Sequence, residues 1–288
     1  MAQVKIVTDS AAELPQDVID DLGITVAPWR VQVGAETLID GPALRTVDFY
    51  RDVVKRRRAL TVTPPTAQQF AEVYSRLARE TDEVVSIHGP AELGRALQAA
   101  RQGRMGLLGR CEVAVLDAQF TSRALGMLVE EGARAAQSGF RAAEVVRIVN
   151  GTIPRTYFTF YVEAIDHLVR QGLLRESREQ MGISVGYKPL LLLEEGQIVS
   201  LQRSRRRGEP SERLLEFISE FRGLQELHLL HTGLAPGVQD LKTLLAEAAP
   251  QIAYREHIYG PVLAALIGPA AIGFAALESA VFSGASLR

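Results

Sequence analysis

Short β-branched runs alternating with helix-period segments constrain this chain more than any other feature. Val4-Lys5-Ile6-Val7 is one such run, and it ends in the polar tip Thr8-Asp9-Ser10. Pro15 and Gly23 then bracket Asp17 to Leu22 as the opening and closing residues of a helix. Ile24 to Val33 reads as the next strand. The punctuation returns downstream. Phe70 to Arg79 is helical, and Glu83 to Ile87 is a strand tipped by His88-Gly89-Pro90. Leu93 to Gln102 is helical, and Glu112 to Leu116 is a strand ending in Asp117. Thr121 to Ser138 is an amphipathic helix stopped by Gly139. Strands separated by helices imply a parallel sheet covered on both faces. Ligands of open α/β sheets bind outside the carboxyl ends of the strands, so the tips at Ser10 and His88 are where a site is expected.

The texture changes after Gly151-Thr152-Ile153-Pro154. Tyr157 to Val162 is aromatic and β-branched, and Glu163 to Arg170 looks helical. Lys188 to Leu193 and Gln197 to Arg203 read as a β-hairpin joined at Glu194-Glu195-Gly196. A helix over Pro210 to Arg222, a strand over Glu226 to Leu230, a helix over Pro236 to Ala248 and a strand over Ile252 to His257 follow. A chain of 288 residues, at about 150 residues per domain, is expected to form two domains. The boundary falls near residue 155, giving 1–155 and 156–288.

Other features narrow the function. A formal net charge of −2 neither favours nor opposes an acidic partner. The single cysteine, Cys111, permits no internal disulfide, which fits a reducing, cytoplasmic setting. The first residues lack a basic segment followed by a long apolar run, so no signal peptide is expected. Gly260 to Leu277 is uncharged but rich in Gly, Pro and Ala. A spanning helix needs about 20 strongly apolar residues, so this stretch is read as buried interior. No phosphate-binding loop, nucleophile elbow or Cys-x-x-Cys is present.

Lys55 to Arg58 is read as a solvated basic face. Arg203 to Arg207 is a second basic cluster, and contact with a partner, a phosphate or, transiently, a membrane surface is its functional alternative. Neither cluster has interleaved aromatics, so nucleic acid is not expected as a partner. His228 and His231 fall on opposite faces of one strand, so they form no metal pair. Asp9 and Asp117 are expected to bond to backbone, and Cys111 is read as inert.

Six blocks then stand in a recognisable order: Thr8-Asp9-Ser10-Ala11-Ala12-Glu13-Leu14-Pro15; Ile39-Asp40-Gly41 before Phe49-Tyr50; Thr63-Pro64-Pro65-Thr66 before Phe70; Val115-Leu116-Asp117 leading to Ser122; Tyr187-Lys188-Pro189-Leu190-Leu191 before Glu195-Gly196 and the basic run; and Gly268-Pro269 with Gly273. Over nearly the whole chain this order resembles the DegV family. The resemblance implies an α/β, two-domain DegV-like fold. Its N-terminal domain has a mostly parallel sheet with flanking helices, its C-terminal α/β domain is smaller, and a lipid pocket lies between them. It implies a carrier rather than an enzyme, with a long-chain fatty acid or other acyl lipid as ligand and no cofactor of its own. Some relatives present the acyl carboxylate to a separate bacterial fatty acid kinase subunit, to which ATP and magnesium would belong.

The chain departs from the family's pattern at the expected head group. Val62 stands at a threonine position, Leu93 at a serine position, Arg95 at a threonine position and Leu266 at a histidine position. The family's Gly-Gly-Arg is replaced by Gln171-Gly172-Leu173, with arginine only at Arg175. A buried carboxylate without donors is costly, so either other groups take over or the head group differs. Ser10, Thr63, Thr66, His88 and Arg95 are the candidates near the head group. Val62, Leu93, Ser122, Leu191, Leu266 and Ile272 are the candidates along the chain, and Arg203 and Arg205 for partner contact. Leu190 to Leu193 and Val262 to Ile272 are either ordinary core or walls of an acyl slot. The competing readings are a phosphotransferase or hydrolase working through His88 or Asp9, and an adaptor that has lost lipid binding.

Overall fold

The structure is a computed structural model, and it describes residues 3–107, 109–162, 165, 168, 172–174, 190–201 and 209–280. The first half is organised by four parallel strands: β1 (Lys5–Asp9), β2 (Thr25–Ala27), β6 (Glu83–His88) and β7 (Glu112–Asp117), in the order β2-β1-β6-β7. Lys5 pairs with Val84 and Val84 with Val113. Side chains alternate across this sheet, and each face has its own cover. Val7, Val84 and Val113 meet Phe70 and Tyr74 of α3 (Ala67–Leu77) and Ala100 of α4 (Ala96–Gly103). Ile6, Val85 and Ile87 face α5 (Ser122–Gln137) and α6 (Ala142–Thr152). The first helix, α1 (Gln16–Leu22), ends at Gly23 with φ 62, the left-handed cap that glycine adopts without strain.

Three sequence expectations are corrected. Ile24 to Val33 is not one strand. β2 belongs to the parallel sheet, whereas β3 (Arg30–Val33) opens a separate antiparallel sheet of order β4-β3-β5 with β4 (Glu36–Ile39) and β5 (Leu60–Thr63). Pro28 has no N–H for a ladder, and the Trp29 N–H donates instead to Ser10 Oγ at 2.9 Å. The segment from Leu93 becomes helical only at Ala96, because Leu93 and Gly94 form the turn beneath Trp29. The α5 helix is not amphipathic in its surroundings. Most of its residues are buried, Arg123 and Glu130 included, because it packs against β1 on one side and against the second sheet on the other. Sequence reading also passed over α2 (Val47–Lys55), which buries only Tyr50 and Val53.

The second sheet has the order β10-β9-β8-β13-β11-β12. Its strands are β8 (Thr156–Tyr161), β9 (Leu191–Glu194), β10 (Gln197–Ser200), β11 (Leu224–His231), β12 (Arg255–Ile258) and β13 (Ile272–Glu278). All its pairings are antiparallel except β11 with β12. The expected hairpin is present as β9–β10. Its two turn residues, Glu195 and Gly196, have φ 48 and 76, as a type I′ turn requires. Its outer residues at 188–189 and 202–203 lie outside the described residues, as does most of 163–170. One face of the sheet is covered by α7 (Pro210–Ser219) and α8 (Val238–Ala248), through Leu214, Leu241 and Phe274. The other face joins α5 in a core that contains residues from both halves of the chain. Gly260 to Leu277 is interior, forming α9 (Pro261–Ile267) and most of β13. Among the described residues, no helix is long and apolar enough to cross a membrane.

Close packing of α5 is testable at Gly126. A Cβ there would overlap the Ala12 carbonyl and crowd the Arg123 guanidinium. Gly126→Ala is expected to lower stability by about 1–3 kcal/mol. This would be read as a lower urea midpoint at unchanged m value.

Candidate functional site

The carboxyl ends of β1 and β6 bring together a cluster of buried polar groups, among them Asp9, Ser10, Ser86 and His88. Asp9 ends β1, and its Oδ1 accepts from Ala11 N and from the Trp29 indole Nε1 at 2.7 Å. Its Oδ2 accepts from His88 Nδ1 at 2.6 Å. His88 Nε2 lies 2.7 Å from Ser86 Oγ, which lies 2.8 Å from the Tyr74 hydroxyl. Ser86, His88 and Asp9 thus have the connectivity of a nucleophile triad, but Ser86 is fully buried with its hydroxyl against Tyr74. In this geometry the hydroxyl is not presented to a substrate.

A second network joins the two halves. The turn after β1 brings Glu13 into the left-handed region at φ 50, facing Ser122 at φ 54. Two such residues are strained by about 1–3 kcal/mol each, and such strain persists only where surrounding bonds overdetermine it. Here the bonds are clear. Glu13 accepts from Ser122 Oγ, His257 Nε2 and Gly260 N, each at 2.7 Å. Burial pushes the Glu13 carboxyl up. His257, Arg45 and Ser122 together outweigh it and hold the group below its usual range. Arg45 donates to the carbonyls of Leu14 and Ser10. Asp40 is pushed up to about 6, chiefly by burial; Ser10 and Arg45 oppose this, while Glu13 and Asp9 add to it. Further along the seam, Arg123 pairs with Glu130 at 2.5 Å and with Glu226 at 3.5 Å, beside His228.

An apolar cluster adjoins these networks. Trp29, Ala11, Ala96 and Val262 pack together, with Val62 against them, and α9 packs on β5. Of the candidate residues, Ser10 and Val62 lie around this cluster. Leu93 and Leu266 lie against the main core, and Leu191 is buried within it. Other candidates have different surroundings. Thr63 is exposed, on the face of β5 opposite Val62. Thr66 is exposed and caps α3 in a capping box with Gln69. Both His88 nitrogens are engaged internally, and the Ser122 hydroxyl is bonded to Glu13. Arg95 is exposed at the start of α4. Ile272 turns to the opposite face of the second sheet, among the residues under α7 and α8. Arg203 and Arg205 lie outside the described residues. His228 and His231 do face opposite sides, meeting Arg123 and Glu256 respectively. Asp117 bonds to Gln119 N, and burial raises the Cys111 thiol. Among the described residues, no group of His, Cys, Asp and Glu is arranged to hold a metal.

Trp29, Glu13, Arg45 and His257 were not singled out from the sequence. Trp29 carried a usable signal, since it is the chain's single tryptophan and directly follows Pro28. The others meet only through the tertiary fold.

Comparison with known proteins is consistent along the chain. A family model described as an uncharacterised protein of the DegV family matches residues 3–279. A DegV domain-containing protein of Streptomyces coelicolor is 31% identical over 279 residues, covering 94% of this chain and 96% of its own. A structure described as fatty acid binding of a DegV family protein from Thermus thermophilus aligns with TM-score 0.79 at 26% identity, covering 96% of this chain and all of its own. DegV of Bacillus subtilis, described as a fatty acid binding protein, shares the fold with TM-score 0.82 at 20% identity, over 97% of this chain and 100% of its own.

Proposed function

Because this chain belongs to the DegV family, we propose that it carries a long-chain fatty acid or other acyl lipid in an apolar seam between two domains divided near residue 155. The likeness to the fatty-acid-binding protein of Thermus thermophilus carries this reading. The apolar residues Leu93, Leu191 and Leu266, which share one core, support it. Each methylene withdrawn from water contributes about 0.8 kcal/mol, so an acyl chain needs a long apolar wall more than it needs polar contacts. Ser10 and Arg95 are the residues proposed nearest the head group. Thr66 and His88 are committed to the cap and to the internal relay. Phosphoryl transfer is assigned to a partner kinase, with its own ATP and magnesium, docking through Arg203 and Arg205.

Native mass spectrometry of the purified chain, followed by solvent extraction, tests the carrier reading. About one acyl lipid per chain is expected. Protein that stays empty after incubation with fatty acids overturns it. Leu93→Trp is expected to reduce lipid retention about tenfold or more by overfilling the wall. Unchanged retention would move the pocket elsewhere.

A further inference from the structure

Gly196, at the tip of the β9–β10 hairpin, is buried, whereas hairpin tips usually face water. Its cover comes from the other half of the chain. The glycine lies against Pro90, in the loop between β6 and α4, so closely that a Cβ on it would come within 2.8 Å of the proline Cβ. Pro90 is buried too, and the Glu92 carboxylate stands beside the same contact. Glycine at 196 therefore serves two ends: the left-handed φ of 76 and the close seat on Pro90.

The two sides of this contact are held unequally. In the β6–α4 loop, Gly89 abuts the Phe120 carbonyl and Gly94 abuts the Trp29 ring, each too closely for a Cβ. Between them the Leu93 N–H donates to the Pro90 carbonyl at 3.2 Å and closes a turn. The loop is thus fixed at both ends. The hairpin has less support. β8 pairs with β13 at six positions but with β9 at only two, Thr159 with Leu192 and Phe160 with Leu191. Beyond Leu192 the hairpin leaves β8, and β10 is the outer edge of the sheet, with an isolated bridge from Leu174 to Ile198. Residues 193–198 are held by their own ladder, by Leu193 and Ile198 in the core, and by the seat on Pro90. A segment with few ladder bonds to its surroundings opens at low cost.

The contact closes over the carboxyl end of β6, the edge at which α/β sheets bind ligands. Leu93 belongs to the same turn as Pro90 and shares one core with Leu191, Leu193 and Ile198. Lifting the hairpin tip would uncover this apolar surface.

Resting on the acyl-carrier reading, we propose that residues 193–198 form a flap and that the contact of Gly196 with Pro90 is its latch. The acyl chain passes when the flap lifts from the β6–α4 loop. The latch acts on the free and the loaded chain alike, so it governs the rates of entry and exit and leaves the affinity nearly unchanged.

Stopped-flow fluorescence of cis-parinaric acid, a fatty acid probe, reads both rates on the full chain stripped of lipid. Gly196→Asn keeps the left-handed turn, which asparagine tolerates, and adds a Cβ to which Pro90 must yield. Association and dissociation are both expected to quicken about fivefold or more, with Kd held within about twofold. Pro90→Cys with Gly196→Cys, in a Cys111→Ala chain, brings two β-carbons close enough to be joined. Oxidised, this variant is expected to exchange the probe about tenfold or more slowly than the same protein reduced. The cross-link carries the test if the asparagine variant fails to fold. Unchanged rates in either variant overturn the proposal, as does a weaker Kd carried by dissociation alone. Both results leave the carrier reading intact. A native chain that binds no probe rejects the carrier reading itself.

Discussion

Glu13→Ala is expected to destabilise the protein by about 3–5 kcal/mol, the loss typical of breaking a buried ionic pair from one side. Glu13 is 1% exposed and accepts from a hydroxyl, an imidazole and a backbone amide. Alanine leaves all three donors without their acceptor and leaves Arg45 with less compensating charge. Chemical denaturation of both proteins at neutral pH measures the difference. A loss below about 1 kcal/mol would show that water replaces the carboxylate at little cost. The same residue fixes a pH dependence. The folded-state pKa of Glu13 lies below its ordinary value of 4.5. Its stabilisation is therefore full above that value and is lost as pH falls through the lowered one. The native chain should lose more stability than Glu13→Gln on acidification below 4.5, and the two curves should converge.

Arg123→Met is expected to cost about 3–5 kcal/mol as well, this time by stranding carboxylates rather than donors. Arg123 and Glu130 are both almost fully buried on α5, and the guanidinium also reaches Glu226 on β11. Methionine keeps much of the volume but removes the charge facing two carboxylates. Arg134 still pairs with Glu130, from a half-exposed position, and offsets part of the loss. The double variant Arg123→Met with Glu130→Met removes the stranded buried carboxylate and is expected to recover a substantial part of the stability. A double-mutant cycle on unfolding free energies measures the coupling. A double variant worse than the sum of the two singles would show that the pair is not the source of the cost.

Elements with local signals were legible in the sequence. The α1 helix lies between Pro15 and Gly23, β1 and β6 are short runs rich in β-branched residues, and Glu195-Gly196 marks the hairpin turn. The rest was hidden for physical reasons. The strand over Ile24 to Val33 divides because Ser10, nineteen residues earlier in the chain, captures the Trp29 N–H. The α5 helix reads as amphipathic because its charged residues suggest a wet face. Arg123 and Glu130 instead form an ion pair inside the core. Ile272 was a reasonable pocket candidate by hydrophobicity, but a strand changes face at every residue, and only the register places it with Phe274 and Ala276. The bond from His257 to Glu13 spans 244 residues, a distance over which no spacing pattern operates.

The position of β13 sets the order in which the molecule can be made. It lies between β8 and β11, so two strands synthesised well before it depend on it for their pairing. During translation the first half can close its parallel sheet as it emerges. Until residues 272–278 have left the ribosome, however, β8 and β11 each carry an unpaired edge, and exposed strand edges invite pairing with other chains. A nascent chain stalled before that point would be a candidate for chaperone capture, and the second sheet becomes complete only when β13 slots into its centre.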